Sequence, residues 1–180
     1  ISLPCQPPFP AARTVLTGNP VRQEILAAAK GERPVHEVPT LLVLGGSQGA
    51  HRVNLLMLEA AQVLVAQGRP VRIIHQTGTA DEATVREGYR RIGVEAEVSA
   101  FIRDMAGLYR RADLAVSRAG ATTLAELAVM GLPALLVPYP YAADNHQLTN
   151  GKYYEKTGGC VVVEEAGLTG EILGKAVSER

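Results

Sequence analysis

Short apolar runs alternate with helix-patterned segments along the whole chain, and this alternation limits the fold more than any single motif does. TLLVLGG (40–46) is an apolar run ending in glycines, as expected for a strand buried on both faces. Val53, Leu56, Met57, Ala60 and Leu64 then recur at helical spacing up to Gly68. VRIIHQTG (71–78) repeats the strand and loop, TADEATVREGYRRIG (79–93) reads as a polar helix ending in glycine, and VEAEVSAF (94–101) alternates as a third strand. A short helix over about 104–111, the strands DLAVS, PALLVP and CVVV, helices over 121–130 and 146–156, and a last helix near the C-terminus complete the series.

Six strands joined by helical crossovers predict an α/β fold: a doubly wound, parallel, six-stranded, Rossmann-like sheet. In the strand order 3-2-1-4-5-6 the first and fourth strands are neighbours, and the loops after them diverge to open a crevice. Those two loops are GGSQGA (45–50) and SRAGATT (117–123). Both are glycine-bearing and both precede a helix.

A helix start offers backbone N–H groups with no intrahelical partner and a dipole that favours negative charge, so phosphate suits both loops. The plainer alternative is that the glycines only make tight strand-to-helix turns. NAD fits poorly, because the spacing is not G-x-G-x-x-G and the second strand ends in His75 and Gln76 where a ribose-binding acid belongs. A P-loop lacks its G-K-[ST]. Glu126, one turn into the helix after SRAGATT, is the carboxylate that could hold a ribose diol; otherwise it faces solvent or pairs with an arginine such as Arg118. PYPYAADNHQLTN gathers Asp144, Asn145, His146 and Gln147 at a helix start, suited to sugar hydroxyls, with helix capping as the alternative role for Asp144. No metal spacing and no D-x-D pair occurs, and His36, His51 and His75 read as surface or packing residues.

Of the 180 residues 47% are hydrophobic, enough for one well-filled core. Lys and Arg total 18, as do Asp and Glu, so no basic field points to nucleic acid and any anion is bound locally. Cys5 and Cys160 match neither a zinc spacing nor a disulfide framework, which fits a reduced, cytoplasmic setting. No apolar run reaches the ~18 residues of a membrane span. The proline-rich opening ISLPCQPPFP predicts an interdomain linker over 1–16 ahead of one domain over 17–180. A start at Ile1 suggests a piece of a longer protein whose missing part is N-terminal.

TGNPVR (17–22), GGSQGA, HQTG (75–78), FIRDM (101–105), SRAGATTLAE (117–126), GLPALLVPYP (131–140) and DNHQLTN (144–150) together resemble the C-terminal half of the MurG family of bacterial cell-wall glycosyltransferases. The resemblance covers nearly the whole chain. It implies a GT-B fold and an inverting transfer of N-acetylglucosamine (GlcNAc) from UDP-GlcNAc to lipid I, giving lipid II for peptidoglycan, with no metal and no cofactor. It implies that Ser47 contacts the diphosphate with help from the run Ala121, Thr122, Thr123, Leu124 and Ala125, and that Glu126 holds the ribose diol. Ile102 is expected to pair with the uracil edge through its backbone, with Met105 packed nearby and Arg22 close to the nucleotide. Gln147 is expected to face the GlcNAc ring, with Asp144 and His146 near it and Gln76 a weaker candidate for the same pocket. The general base, the lipid I acceptor site and the contact with the cytoplasmic face of the inner membrane belong to the family's N-terminal half, which this sequence does not contain. Donor binding without turnover is therefore expected of the chain alone. Other readings are a different GT-B UDP-sugar enzyme, such as a UDP-GlcNAc 2-epimerase, and a non-catalytic nucleotide-sugar module.

Overall fold

Each strand sends alternate side chains into one of two apolar layers. The structure, a computed structural model, describes residues 10–32, 34–45 and 50–179. Strands β1 (Thr40–Leu44), β2 (Arg72–Gln76), β3 (Glu95–Ser99), β4 (Leu114–Ser117), β5 (Ala134–Leu136) and β6 (Cys160–Val162) form one sheet. Its order is β3-β2-β1-β4-β5-β6 and every pairing is parallel, as the sequence predicts.

In β1, Leu41 and Val43 enter one layer while Leu42 and Leu44 enter the other. The register sets Leu41 beside Ile73 and Leu114, so neighbouring strands contribute to the same layer at the same level. All of β1 is buried, which explains why an alternating structure is written as an unbroken apolar run. Helices α2 (His51–Ala66), α3 (Glu82–Ile92) and α7 (Gly170–Ser178) cover the first layer. The second layer takes α1 (Gln23–Ala28), α4 (Met105–Arg111) and α5 (Ala121–Met130), with Tyr154 of α6 (His146–Glu155) packed against it.

Helix α3 ends at Gly93 and α5 at Gly131, both left-handed (φ 79° and 60°), the conformation that closes a helix and favours glycine. Helix α1 was not legible in the sequence. It has six residues and no side-chain cap, and it is held by Ile25, buried in the second layer. Helix α7 approaches α2 closely at two glycines. A Cβ on Gly170 would stand 2.0 Å from Cβ of Glu59, and one on Gly174 3.0 Å from Cβ of Val63. The N–H of Gly170 donates to Glu59 Oε2 at 3.0 Å.

The histidines take packing and surface roles. His75 is fully buried, its Nδ1 accepting from the Tyr89 hydroxyl at 2.9 Å and its Nε2 donating to Asn54 Oδ1 at 3.0 Å. Asn54 Nδ2 in turn donates to the Thr77 carbonyl and to Asp81, which fixes the amide and with it the neutral imidazole tautomer. Burial lowers the His75 pKa to about 3 against the opposing charge of Asp81. His51 and His36 pair with Asp81 and Asp113. Cys160 carries a free thiol and Cys5 lies outside the described residues. Among the described residues no helix is long and apolar enough to cross a membrane.

Candidate functional site

At the carboxyl ends of the strands, where β1 and β4 send their loops apart, lies a cleft of about 960 Å³. A second, mainly apolar hollow of about 610 Å³ opens at the amino ends. The first has the convergent polar groups and the position at which open α/β sheets bind ligands. Its lining includes four arginines, Arg22, Arg52, Arg103 and Arg118, against two acids, Glu126 and Glu165. A chain with no net charge thus presents a locally basic cleft.

One wall is the start of α5. Its N-cap is Gly120, which brings no side chain to cap the helix, and the first helical bond runs from Leu124 N–H to the Gly120 carbonyl. The N–H groups of Ala121, Thr122 and Thr123 have no intrahelical acceptor, so the free donors and the dipole of this turn favour negative charge. Thr122 and Thr123 line the cleft. Leu124 and Ala125 are buried, Leu124 in the second layer, so their side chains face away from it. The opposing loop contributes Gly45 and Ala50; Ser47 lies outside the described residues.

Glu126 lies one turn in, only 4% exposed, and the alternative that it pairs with an arginine holds, with Arg22 in place of Arg118. Arg22 forks onto it, Nε to Oε1 at 2.9 Å and Nη2 to Oε2 at 3.2 Å, across 104 residues of sequence. The Tyr109 hydroxyl donates to Oε2 at 2.9 Å. The hydrogen bond to Glu126 raises the Arg22 pKa, with burial opposing it. Burial first, and the Glu126 charge second, raises that of Tyr109. Both donors therefore keep their protons at neutral pH.

Gln76, Ile102, Met105 and Gln147 also line the cleft. Gln76 lies beside Ile102, its Oε1 accepting from the Ile102 N–H at 3.0 Å. Gln147 Oε1 accepts from the Tyr139 N–H at 3.0 Å, which points its amide nitrogen the other way. Asp144 and His146 are exposed and outside the lining. The capping role for Asp144 is not realised either: Asn145 is the N-cap of α6, without a side-chain bond, and both residues have positive φ (49° and 53°). His146 Nδ1 donates to the Ala143 carbonyl. Among the described residues no group of His, Cys, Asp and Glu is placed to hold a metal ion.

The model for the glycosyltransferase family 28 C-terminal domain matches residues 40–180. The chain belongs to glycosyltransferase family 28. It is 49% identical over 98% of its length to a UDP-N-acetylglucosamine–N-acetylmuramyl-(pentapeptide) pyrophosphoryl-undecaprenol N-acetylglucosamine transferase of Desulfotalea psychrophila, covering 48% of that protein. A transferase of the same name from Geobacter metallireducens is 47% identical over 95% of the chain, again with 48% of its own length covered. The crystal structure of Acinetobacter baumannii MurG superposes with a TM-score of 0.75 at 28% identity, over 95% of this chain and 49% of that one. The chain spans about half the length of these relatives, and its fold is that of the C-terminal half of a GT-B enzyme.

This family 28 cleft contains residues that the sequence reasoning missed. Tyr109 follows Met105 at i+4 in α4, a spacing that places both on one helix face. Arg118, weighed from the sequence only as a partner for Glu126, pairs instead with Glu165 Oε2 at 2.5 Å, and that oxygen is held by charge, with no hydrogen-bond partner among the described residues. The Arg118 guanidinium also donates to the Val137 and Pro138 carbonyls and lies 5.3 Å from the Tyr139 ring centre. It ties the loops after β4, β5 and β6 together beside Gln147. Nothing local in the sequence connects residues 118 and 165.

Proposed function

We propose that this chain is the donor-binding half of an inverting GT-B transferase that moves GlcNAc from UDP-GlcNAc to lipid I. The observation that carries the reading is Glu126, a buried carboxylate one turn below an uncapped helix start in a basic-lined cleft. Phosphates suit the helix start and hydroxyl donors suit the carboxylate, and a nucleoside diphosphate has both. The names of the relatives support UDP-GlcNAc as the particular donor.

In this reading the α5 N–H groups, with Ser47, take the diphosphate. As the glycosidic bond breaks, charge builds on the departing UDP, and fixed backbone dipoles stabilise it without reorganisation. Ile102, its N–H held by Gln76, reads the base through its carbonyl, and Met105 packs beside it. Gln147, its oxygen held by Tyr139, offers amide N–H donors to the sugar. Ala121 adds its backbone N–H to the proposed donor contacts, while Leu124, whose N–H is taken by the Gly120 carbonyl, and Ala125 back that turn from the core, and Asp144 and His146 stand near the sugar side, outside the cleft lining. The general base, the lipid I site and the contact with the cytoplasmic face of the membrane are assigned to an N-terminal half, with 1–16 as the linker to it.

The test is calorimetric titration of the chain with UDP, UDP-GlcNAc and NAD in the presence of a chelator. UDP and UDP-GlcNAc are expected to bind and NAD to fail. Binding that requires a divalent ion, or NAD binding as tightly as UDP, overturns the reading.

A further inference from the structure

Glu126 has room for fewer ligand contacts than its role requires. A carboxylate accepts about four hydrogen bonds, two at each oxygen. Three of these directions are in use: Arg22 Nε at Oε1, and Arg22 Nη2 with the Tyr109 hydroxyl at Oε2. A ribose diol brings two donors to a carboxylate with one direction left. One resident donor must move aside.

The surroundings decide which one. Tyr109 is 1% exposed and its ring is packed among Ile25, Leu108 and Leu124 in the second layer, so it can withdraw only by opening the core. The Arg22 side chain is 44% exposed on a long stem, and its Nη1 already lies 3.6 Å from the exposed Glu24. The segment that carries it runs beside the uncapped start of α5, where Asn19 Nδ2 reaches Thr122 Oγ1 at 3.5 Å. A guanidinium fork also presents two donors in a plane to two oxygens, as a vicinal diol does.

We propose that Arg22 competes with the ribose diol for Glu126 and is drawn off it by the diphosphate, so that this domain reads the ribose only when phosphates accompany it. The proposal rests on the UDP-sugar reading above. Hydrogen bonds are conserved in the exchange, and the cation that leaves Glu126 is taken up by the diphosphate. Glu126 keeps Tyr109 and replaces the two Arg22 contacts with two hydroxyls, while Arg22 replaces a carboxylate with a phosphate. A nucleoside without phosphate has to separate the Arg22–Glu126 pair and offers the guanidinium nothing in return. Arg22 is then a specificity-determining residue that couples the two ends of the nucleotide, and Tyr109 is the fixed donor that keeps Glu126 aimed.

The experiment compares UDP and uridine affinities of the wild-type chain, Arg22→Gln and Arg22→Lys by calorimetry, with thermal melts to confirm folding. In Arg22→Gln the UDP affinity is expected to fall about tenfold or more, as for loss of a charge-assisted contact, while uridine binds as well as to wild type or better. In Arg22→Lys the charge remains but a single ammonium cannot bridge both oxygens, so UDP should stay within a few-fold of wild type while uridine tightens. Equal losses of UDP and uridine in Arg22→Gln would make Arg22 a mere prop for Glu126 and overturn the proposal. So would weaker uridine binding by the folded Arg22→Lys. Failure of the wild-type chain to bind UDP would instead overturn the functional reading itself.

Discussion

Gln147 turns its amide nitrogen outward because the Tyr139 N–H, which can only donate, holds its oxygen. Gln147→Ala removes that outward donor without adding charge, so UDP-GlcNAc binding is expected to weaken by about 0.5–1.5 kcal/mol while UDP binding stays level. Calorimetry with both ligands checks this, and an equal loss for both would place Gln147 away from the sugar. His75 gives a second expectation at this scale. Its pKa falls from 6.5 to about 3 on folding, so below 6.5 the unfolded chain takes up a proton that the folded chain refuses. The contribution of this site is fully present above 6.5 and shrinks as pH drops toward 3, with a limiting slope of about 1.4 kcal/mol per pH unit. Urea unfolding between about pH 6 and pH 4 measures it, and a profile flat over that window would show the imidazole to be solvated. Glu126 was legible as a cleft residue, since its place after a glycine-and-threonine helix start set it beside the crevice between β1 and β4. Its partners were not. Arg22 and Tyr109 reach it from 104 and 17 residues away, and no periodicity encodes such a meeting.

The same division holds for whole elements. The inner strands such as β1 could be read because parallel strands buried on both faces are spelled as apolar runs, the edge strand β3 because its residues alternate, and helix α2 because Val53, Leu56, Met57, Ala60 and Leu64 mark one face. Helix α1 could not be read, since it carries one buried residue and no capping signal; the helices α4 and α5 that it packs against supply its stability. The turn before α6 misled for a related reason. An Asp at a helix start suggests a cap, but Asp144 and Asn145 both adopt left-handed backbone conformations that set the direction of α6 instead. Packing between helices was equally silent in the sequence. Alanine is the better helix former by about 1 kcal/mol, yet a Cβ at Gly170 would stand 2.0 Å from that of Glu59. Gly170→Ala is expected to lower the unfolding free energy by about 1–3 kcal/mol, read as a lower urea midpoint at constant slope. Gly174→Ala, with its nearest atom at 3.0 Å, should lose less. A gain in stability for Gly170→Ala would mean that α7 can back away from α2 without loss.

Across the molecule, the strand order placed the cleft before any side chain was considered, because β1 and β4 are neighbours only where the winding reverses. What the sequence could not show was that the cleft is basic in an electrically balanced chain, since 18 charges of each sign say nothing of where they gather. The same winding has a consequence in time. Helix α2 follows the first strand, but the helix that packs on it at Gly170 is 111 residues further along. At about 5–20 residues per second of synthesis, α2 waits roughly 5–20 seconds after it is made before α7 can cover it. During that interval the α2 face that α7 will cover has no partner from this end of the chain. The 111 residues between the two contacting helices thus determine when α2 can be sheltered by α7, and the pace of translation sets how long that part of the chain is open to misassociation.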